Sequence, residues 1–391
     1  MCIGWAALSF VAQPVAAQSF FATLVVDPVV GADRGSASRI RALEEPATFL
    51  TFSNTGSDEA GRAIAGFGYG HPDLLAPGDQ LDLAAVVGGP SEDDRRELLA
   101  GGVGYRFAMG GGGTVGFVTV DYGDVRLGTA ATLPFDVRGD RLQIGAGVTR
   151  EIDLGETATL RLGAEVLARH VGSEVLGATV IDEELRMLRV SALYTRGIPL
   201  LAQQRLAISA TKGVDGFGAS PAGNLQGSVP GAETGFLRLS FAAEASVPLS
   251  RDWVVNAGVI GQWTEDSLPA SQRCGFETNS YARGFDYAVV SGDRCLGSRV
   301  EIARNLELPV PGAERMVFTQ AFAGIDGGQI DNVGNAVTPG GRDGWSSLSA
   351  GVRTLRGNFL GEVAVTRILD RPAVAAGQDQ TRLWFRAAVQ F

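Results

Sequence analysis

Apolar residues recur at every second position through most of the chain from Ala47 to Phe391, yet they never accumulate into a long run. A bilayer-crossing helix needs about 20 consecutive apolar residues. Alternation instead suits an extended strand, whose successive side chains point to opposite faces. Leu160, Leu162, Ala164, Val166 and Ala168 alternate with Thr159, Arg161, Gly163, Glu165 and Arg169. Leu237, Leu239, Phe241, Ala243, Ala245 and Val247 alternate with Arg238, Ser240, Glu244 and Ser246. Leu383, Phe385, Ala387, Val389 and Phe391 alternate with Arg382, Trp384, Arg386 and Gln390. In all three segments the charges fall on one face. A half-buried soluble sheet and a membrane barrel both produce this pattern, so one strand alone does not choose between them.

Strand number and loop length do choose. The alternation predicts strands near 47–54, 61–70, 80–88, 96–107, 114–125, 140–152, 158–170, 185–197, 204–213, 235–247, 253–265, 298–308, 316–327, 344–355, 360–368 and 381–391. An even number is usual for single-chain bacterial barrels, as are short periplasmic turns and longer outer loops. Short links such as 153–157 and 248–252 are interleaved with longer ones such as 214–234, 267–297 and 328–343. The expected fold is therefore all-β: a transmembrane antiparallel β-barrel of sixteen strands, of the outer-membrane type, with lipid outside and water within.

The first 17 residues read as a signal peptide, apolar over Ile3 to Val11 with Val15-Ala16-Ala17 before a cut at Gln18, although no basic residue precedes Arg34. Residues 18–46 form a short periplasmic lead-in and 47–391 the barrel. A net charge of −10 argues against nucleic acid, which attracts clustered Lys and Arg. His71 and His170 are the only histidines and lie far apart, so neither a metal site nor a Ser-His-Asp set is expected. No helix follows Gly110 to Gly113, so it is not a phosphate cradle but a periplasmic turn. Neither an enzyme nor a cofactor is expected. Trp253, Trp263, Trp345 and Trp384 are candidates for an interfacial girdle, Trp384 sharing parity with inward Arg382 and Arg386.

The long surface loop 267–297 holds Ala282-Arg283-Gly284-Phe285 and then Ser291-Gly292-Asp293. An alternating strand from Arg299 to Leu308 follows, then Phe322-Ala323-Gly324-Ile325-Asp326-Gly327-Gly328. In this order the pieces resemble the sixth loop and following strands of the outer-membrane protein-translocation barrels, most nearly the haemolysin-activator or two-partner secretion type. That family carries Val-Arg-Gly-Phe/Tyr and Gly-Asp in the loop, and Phe-x-Asp-x-Gly in the next strand but one. Here Ala282 replaces the Val, and Gly324 stands where the Phe is expected, while Asp326 and Gly328 match. Phe52-Ser53-Asn54-Thr55-Gly56, Gly61 and Pro77-Gly78-Asp79-Gln80-Leu81 resemble the first hairpins of the same barrels. Phe385, Val389 and terminal Phe391 resemble the signature by which the barrel assembly machinery selects its clients.

The resemblance implies that the loop tucks into the lumen and that Arg283 pairs with Asp326, latching the loop that controls the pore. Glu301 and Glu307 are alternative lumenal partners. Cys274 and Cys295 flank the Arg-Gly-Phe motif; once Cys2 is processed away they are an even pair in an oxidising compartment, which predicts a disulfide. The implied function is an outer-membrane translocation pore for a secreted protein client in a bacterial cell. The family's two POTRA domains do not fit in residues 18–46, so the expectation is a barrel lacking that docking module or a truncated gene start. The alternative is a POTRA-less passive pore or membrane-insertion scaffold. The seam between first and last strands is the one edge able to accept a further strand.

Overall fold

The computed structural model describes residues 45–391, apart from 58–60, 90–95, 111–112, 131, 199–201, 251, 277–280, 287–289, 309–316, 338 and 357. The expected signal peptide and nearly all of the lead-in lie outside the described residues. The strands are β1 (Ala47–Ser53), β2 (Ile64–Pro72), β3 (Gln80–Gly88), β4 (Leu98–Ala108), β5 (Thr114–Arg126) and β6 (Arg138–Asp153). There follow β7 (Ala158–Val175), β8 (Ala178–Ile198), β9 (Ala202–Gly213), β10 (Leu237–Pro248) and β11 (Trp253–Thr264). Two very short strands, β12 (Cys274–Gly275) and β13 (Ser291–Gly292), pair only with each other. The last are β14 (Arg294–Leu308), β15 (Val317–Asn332), β16 (Gly341–Arg356), β17 (Phe359–Asp370) and β18 (Thr381–Gln390).

Without the small β12–β13 pair, sixteen antiparallel strands close into one barrel in sequence order, β11 passing directly to β14 and β18 closing on β1. Closure gives every strand two hydrogen-bonding neighbours, the condition under which a sheet can cross lipid. The outward side chains form an apolar belt: Val166 (54% exposed), Val190 (58%), Val300 (51%) and Leu383 (59%) are typical members. Burying such a side chain is worth roughly 1.5–3 kcal/mol. A belt of this kind around the whole barrel is therefore stable against acyl chains and not against water. Trp253 and Trp263 stand outward near opposite ends of β11, as girdle residues do, and Trp253 lies 5.7 Å from the Arg304 guanidinium. Trp345 and Trp384 are buried inside, which corrects the girdle expectation for Trp345.

The strands β7 and β8 run past the predicted ends and meet at Leu176-Gly177, where both residues have positive φ (53° and 76°). That is the backbone of a two-residue hairpin turn. The 171–184 stretch, expected as a loop, is therefore a protruding hairpin. At the opposite end, the Asp79 carboxylate accepts the Leu74, Leu75 and Ala76 amides (2.7–2.9 Å) and the Tyr105 hydroxyl (2.5 Å). Desolvation works to raise its pKa, but these bonds outweigh it and hold the carboxyl below its usual range.

Candidate functional site: a loop seated in the barrel lumen

Residues 265–293 leave β11 and return at β14, and much of this segment lies inside the barrel rather than on its surface. Its root is knotted by three devices. Cys274 and Cys295 form a disulfide, their Cα atoms 6.4 Å apart. Cys274 pairs with Gly292 and Gly275 with Ser291 across the small hairpin. The third device is Asp293, whose side chain is fully buried. It accepts the Leu268 amide (3.0 Å), the Arg273 guanidinium (3.1 Å) and the Val333 amide (2.8 Å). The Gly-Asp motif thus ties both limbs of the loop to the β15–β16 connection. The outgoing limb is also held by the wall: Arg169 donates to the Ser271 carbonyl (2.7 Å) and Arg238 to that of Gln272 (3.1 Å).

The tip packs as a small core of its own. Phe276, Tyr281, Ala282, Phe285 and Val290 are buried against Ile330, Trp345 and Ile368 of the wall. Trp345 contacts both the Phe276 ring (4.7 Å between centroids) and the Phe285 ring (6.2 Å, edge-on). Gly284 is pressed against the sheet: a Cβ there would sit 2.8 Å from Ile368 Cγ1 and 3.1 Å from Ser347 Cβ. Only glycine allows the backbone this close. Ala282 has φ +55°, the left-handed conformation, which turns successive amides toward one anion. The backbone of Ala282 and Arg283 lies beside the Asp326 carboxylate, which accepts the Ser347 hydroxyl (2.9 Å to each oxygen).

With Asp326 occupied in this way, Arg283 reaches elsewhere. Its guanidinium donates to Glu301 on β14 at 3.0 Å, the two side chains being only 5% and 4% exposed. The expected Arg283–Asp326 side-chain pair is corrected accordingly: Asp326 attracts Arg283 electrostatically but is hydrogen-bonded by Ser347, and the salt bridge goes to Glu301. Glu301 is a hub, also accepting Arg353 and, at 3.1 Å, the Asn256 amide. Glu307, the other candidate, lies outside the residues whose side chains are described. The Arg283 guanidinium sits 5.4 Å from the Phe322 ring and 5.6 Å from that of Trp384, and Arg353 lies over Phe322 at 4.8 Å. The aromatic expected at Gly324 is thus supplied by Phe322, one inward position earlier. Gly324 faces Glu301, where a Cβ would meet the Glu301 Cβ at 3.2 Å.

Of the remaining expected residues, Gly292 and Phe285 join this site, whereas Phe385, Val389 and Phe391 lie on the β18 side of the seam. Asn54 belongs to the first-hairpin motif. It proves to stitch that seam, its side chain bonding the Leu383 carbonyl (2.9 Å) and the Phe385 amide (2.7 Å). Among the described residues no His/Cys/Asp/Glu cluster could hold a metal ion. His170 faces outward beside Glu184 at 3.0 Å, far from the loop tip.

A loop of this motif, seated in a sixteen-strand barrel, has a counterpart among known families: the haemolysin secretion/activation family model ShlB/FhaC/HecB matches residues 42–354. The chain belongs to that family. Its barrel is an outer-membrane barrel. Among solved structures it resembles CdiB from Escherichia coli (TM-score 0.73, 20% identity), covering 90% of this chain and 64% of that one. CdiB from Acinetobacter baumannii is similar (TM-score 0.68, 16% identity, 90% and 61% covered). BamA from Haemophilus ducreyi lacking POTRA domains 1–3 shares the fold at TM-score 0.59 and 12% identity, with 89% and 70% covered. This chain thus spans under two thirds of the length of either CdiB. No curated protein matches the sequence.

Proposed function

We propose that this barrel passes an exported protein client across the outer membrane, and that the 265–293 loop is a movable plug whose seat controls the path. The observation that carries the reading is the buried Arg283–Glu301 pair. It holds a loop tip in the lumen through polar bonds that a structure without moving parts has little reason to build. A wet lumen offers those groups alternative partners, so the plug can leave without stranding charges in a dry core. An always-open passive pore is poorly served by a resident obstruction, which favours regulated passage over the scaffold alternative. In this reading the chemistry is non-covalent throughout. Phe385, Val389 and Phe391 serve during assembly, as the pattern that the barrel assembly machinery engages.

The test uses Arg283→Ala. Protease cleavage between 277 and 289 and single-channel conductance in planar bilayers should both rise, and export of a cognate client should fall. Unchanged cleavage and conductance would remove the plug from the mechanism.

A further inference from the structure

Arg382, near the start of β18, belongs to three parts of the molecule at once. Its Nη1 donates to the Phe285 carbonyl (3.1 Å) and the Asp286 carboxylate (2.6 Å) in the loop tip. Its Nη2 donates to the Asn54 and Gly56 carbonyls (2.9 and 3.1 Å), just beyond the end of β1. Its own strand, β18, is one side of the seam. The Arg382 and Asp286 side chains are 16% and 15% exposed, so the pair is largely withdrawn from water.

The seam it caps is short. The strands β1 and β18 are in register from Phe49↔Gln390 to Ser53↔Arg386, with backbone bonds between Thr48 and Phe391 and from Asn54 to Phe385 at the two ends, whereas β14 and β15 run from Arg294↔Asp331 to Leu308↔Val317. A cavity of about 450 Å³ lies between seam and tip, lined by Asn54, Arg62, Gly284, Asp286, Gln378 and Arg382. On this side the tip and the seam are therefore joined by a polar bridge rather than by close packing.

We propose that Arg382 is a positioning residue that couples plug seating to closure of the β1–β18 seam. The guanidinium is a planar fork that serves two pairs of acceptors from fixed directions. When the tip withdraws, Arg382 loses its carboxylate, and a largely buried cation left in this way turns toward water. The Asn54 and Gly56 carbonyls then lose their donor, and the outer end of the seam loosens. Coupling of this kind is reciprocal, so loosening the seam also unseats the tip. The inference rests on the reading of the loop as a movable plug.

Hydrogen–deuterium exchange on the purified, detergent-held protein tests it without any client. Asp286→Ala alters the loop side of the bridge. Exchange across 48–56 and 382–386 should quicken roughly tenfold, with 317–356 unchanged. Asn54→Ala alters the seam side, and should speed exchange and protease cleavage at 281–286. Heat-modifiable gel migration verifies the folded barrel; Asp286→Asn, which keeps the shape and drops the charge, gives the same comparison with a smaller shift should the alanine variant not fold. Arg382→Lys, which cannot span both acceptor pairs, should fall between native and Arg382→Ala. The proposal is overturned if Asp286→Ala exposes the loop while the seam keeps native exchange, or if Asn54→Ala leaves the tip at native exchange. A barrel that showed the coupling yet exported nothing would sink the transport reading and not this one.

Discussion

A guanidinium deep in a lumen takes whichever carboxylate the backbone leaves open. Alternation marks both Glu301 and Asp326 as inward, so both were legible in the sequence as partners for Arg283. Choosing between them was not possible there, because the choice depends on the turn at Ala282, whose left-handed φ sets the loop backbone beside Asp326 and leaves the guanidinium to Glu301. Phe322 was missed as part of the site because the resemblance looked for an aromatic at 324; its shared parity with Asp326 was the available signal. Because Glu301 serves Arg283, Arg353 and Asn256, its loss strands two cations, whereas the loss of Arg283 leaves Glu301 still paired. Breaking a buried pair from one side costs about 3–5 kcal/mol. Glu301→Ala should therefore destabilise by a figure near that range and Arg283→Ala by clearly less, read from urea unfolding in lipid vesicles. Arg283→Lys keeps the charge but cannot both fork onto Glu301 and lie against Phe322 and Trp384. It should behave more like Arg283→Ala than like native protein in the cleavage assay.

At the scale of elements, the loop and the β7–β8 hairpin show where patterning works and where it stops. The membrane-facing parts of β7 and β8 alternate cleanly, so they were predicted. In their extension Ser173 and Glu183 share the buried face with Val171 and Ile181, while Glu174 and Asp182 are exposed, so polar residues stand on both faces and the apolar alternation is lost. The loop gives no periodic signal at all; its inward fold was legible only through Arg-Gly-Phe and Gly-Asp. Gly284 is the most demanding point of that fold. Gly284→Val would drive a branched side chain into Ile368 and Ser347, and should release the tip with cleavage rates matching those of Arg283→Ala. At the root, replacing both Cys274 and Cys295 with Ser should lower stability by about 2–4 kcal/mol, the usual worth of a disulfide. The Asp293 bonds should keep the hairpin in place, so cleavage should rise less than with Gly284→Val.

For the whole molecule, all sixteen strands of the barrel were legible, most to within a few residues, because lipid outside and water inside impose one rule on every strand. The rule makes a sharp contrast. Val300→Arg, on the belt, should cost roughly 2–4 kcal/mol near the bilayer midplane. Ser349→Arg, on the neighbouring inward face, should instead perturb the plug by crowding Arg283, read as faster cleavage of the loop. The covalent link at the loop root also limits how far a displaced plug can travel. Between Cys274 and Cys295 there are 21 steps of chain, and the tip hangs midway along them. At about 3.4 Å per extended residue, its reach from the root is some 35 Å. In the proposed reading the plug is thus on a leash: it clears the passage and stays near enough to fall back, so that one barrel serves client after client without being rebuilt.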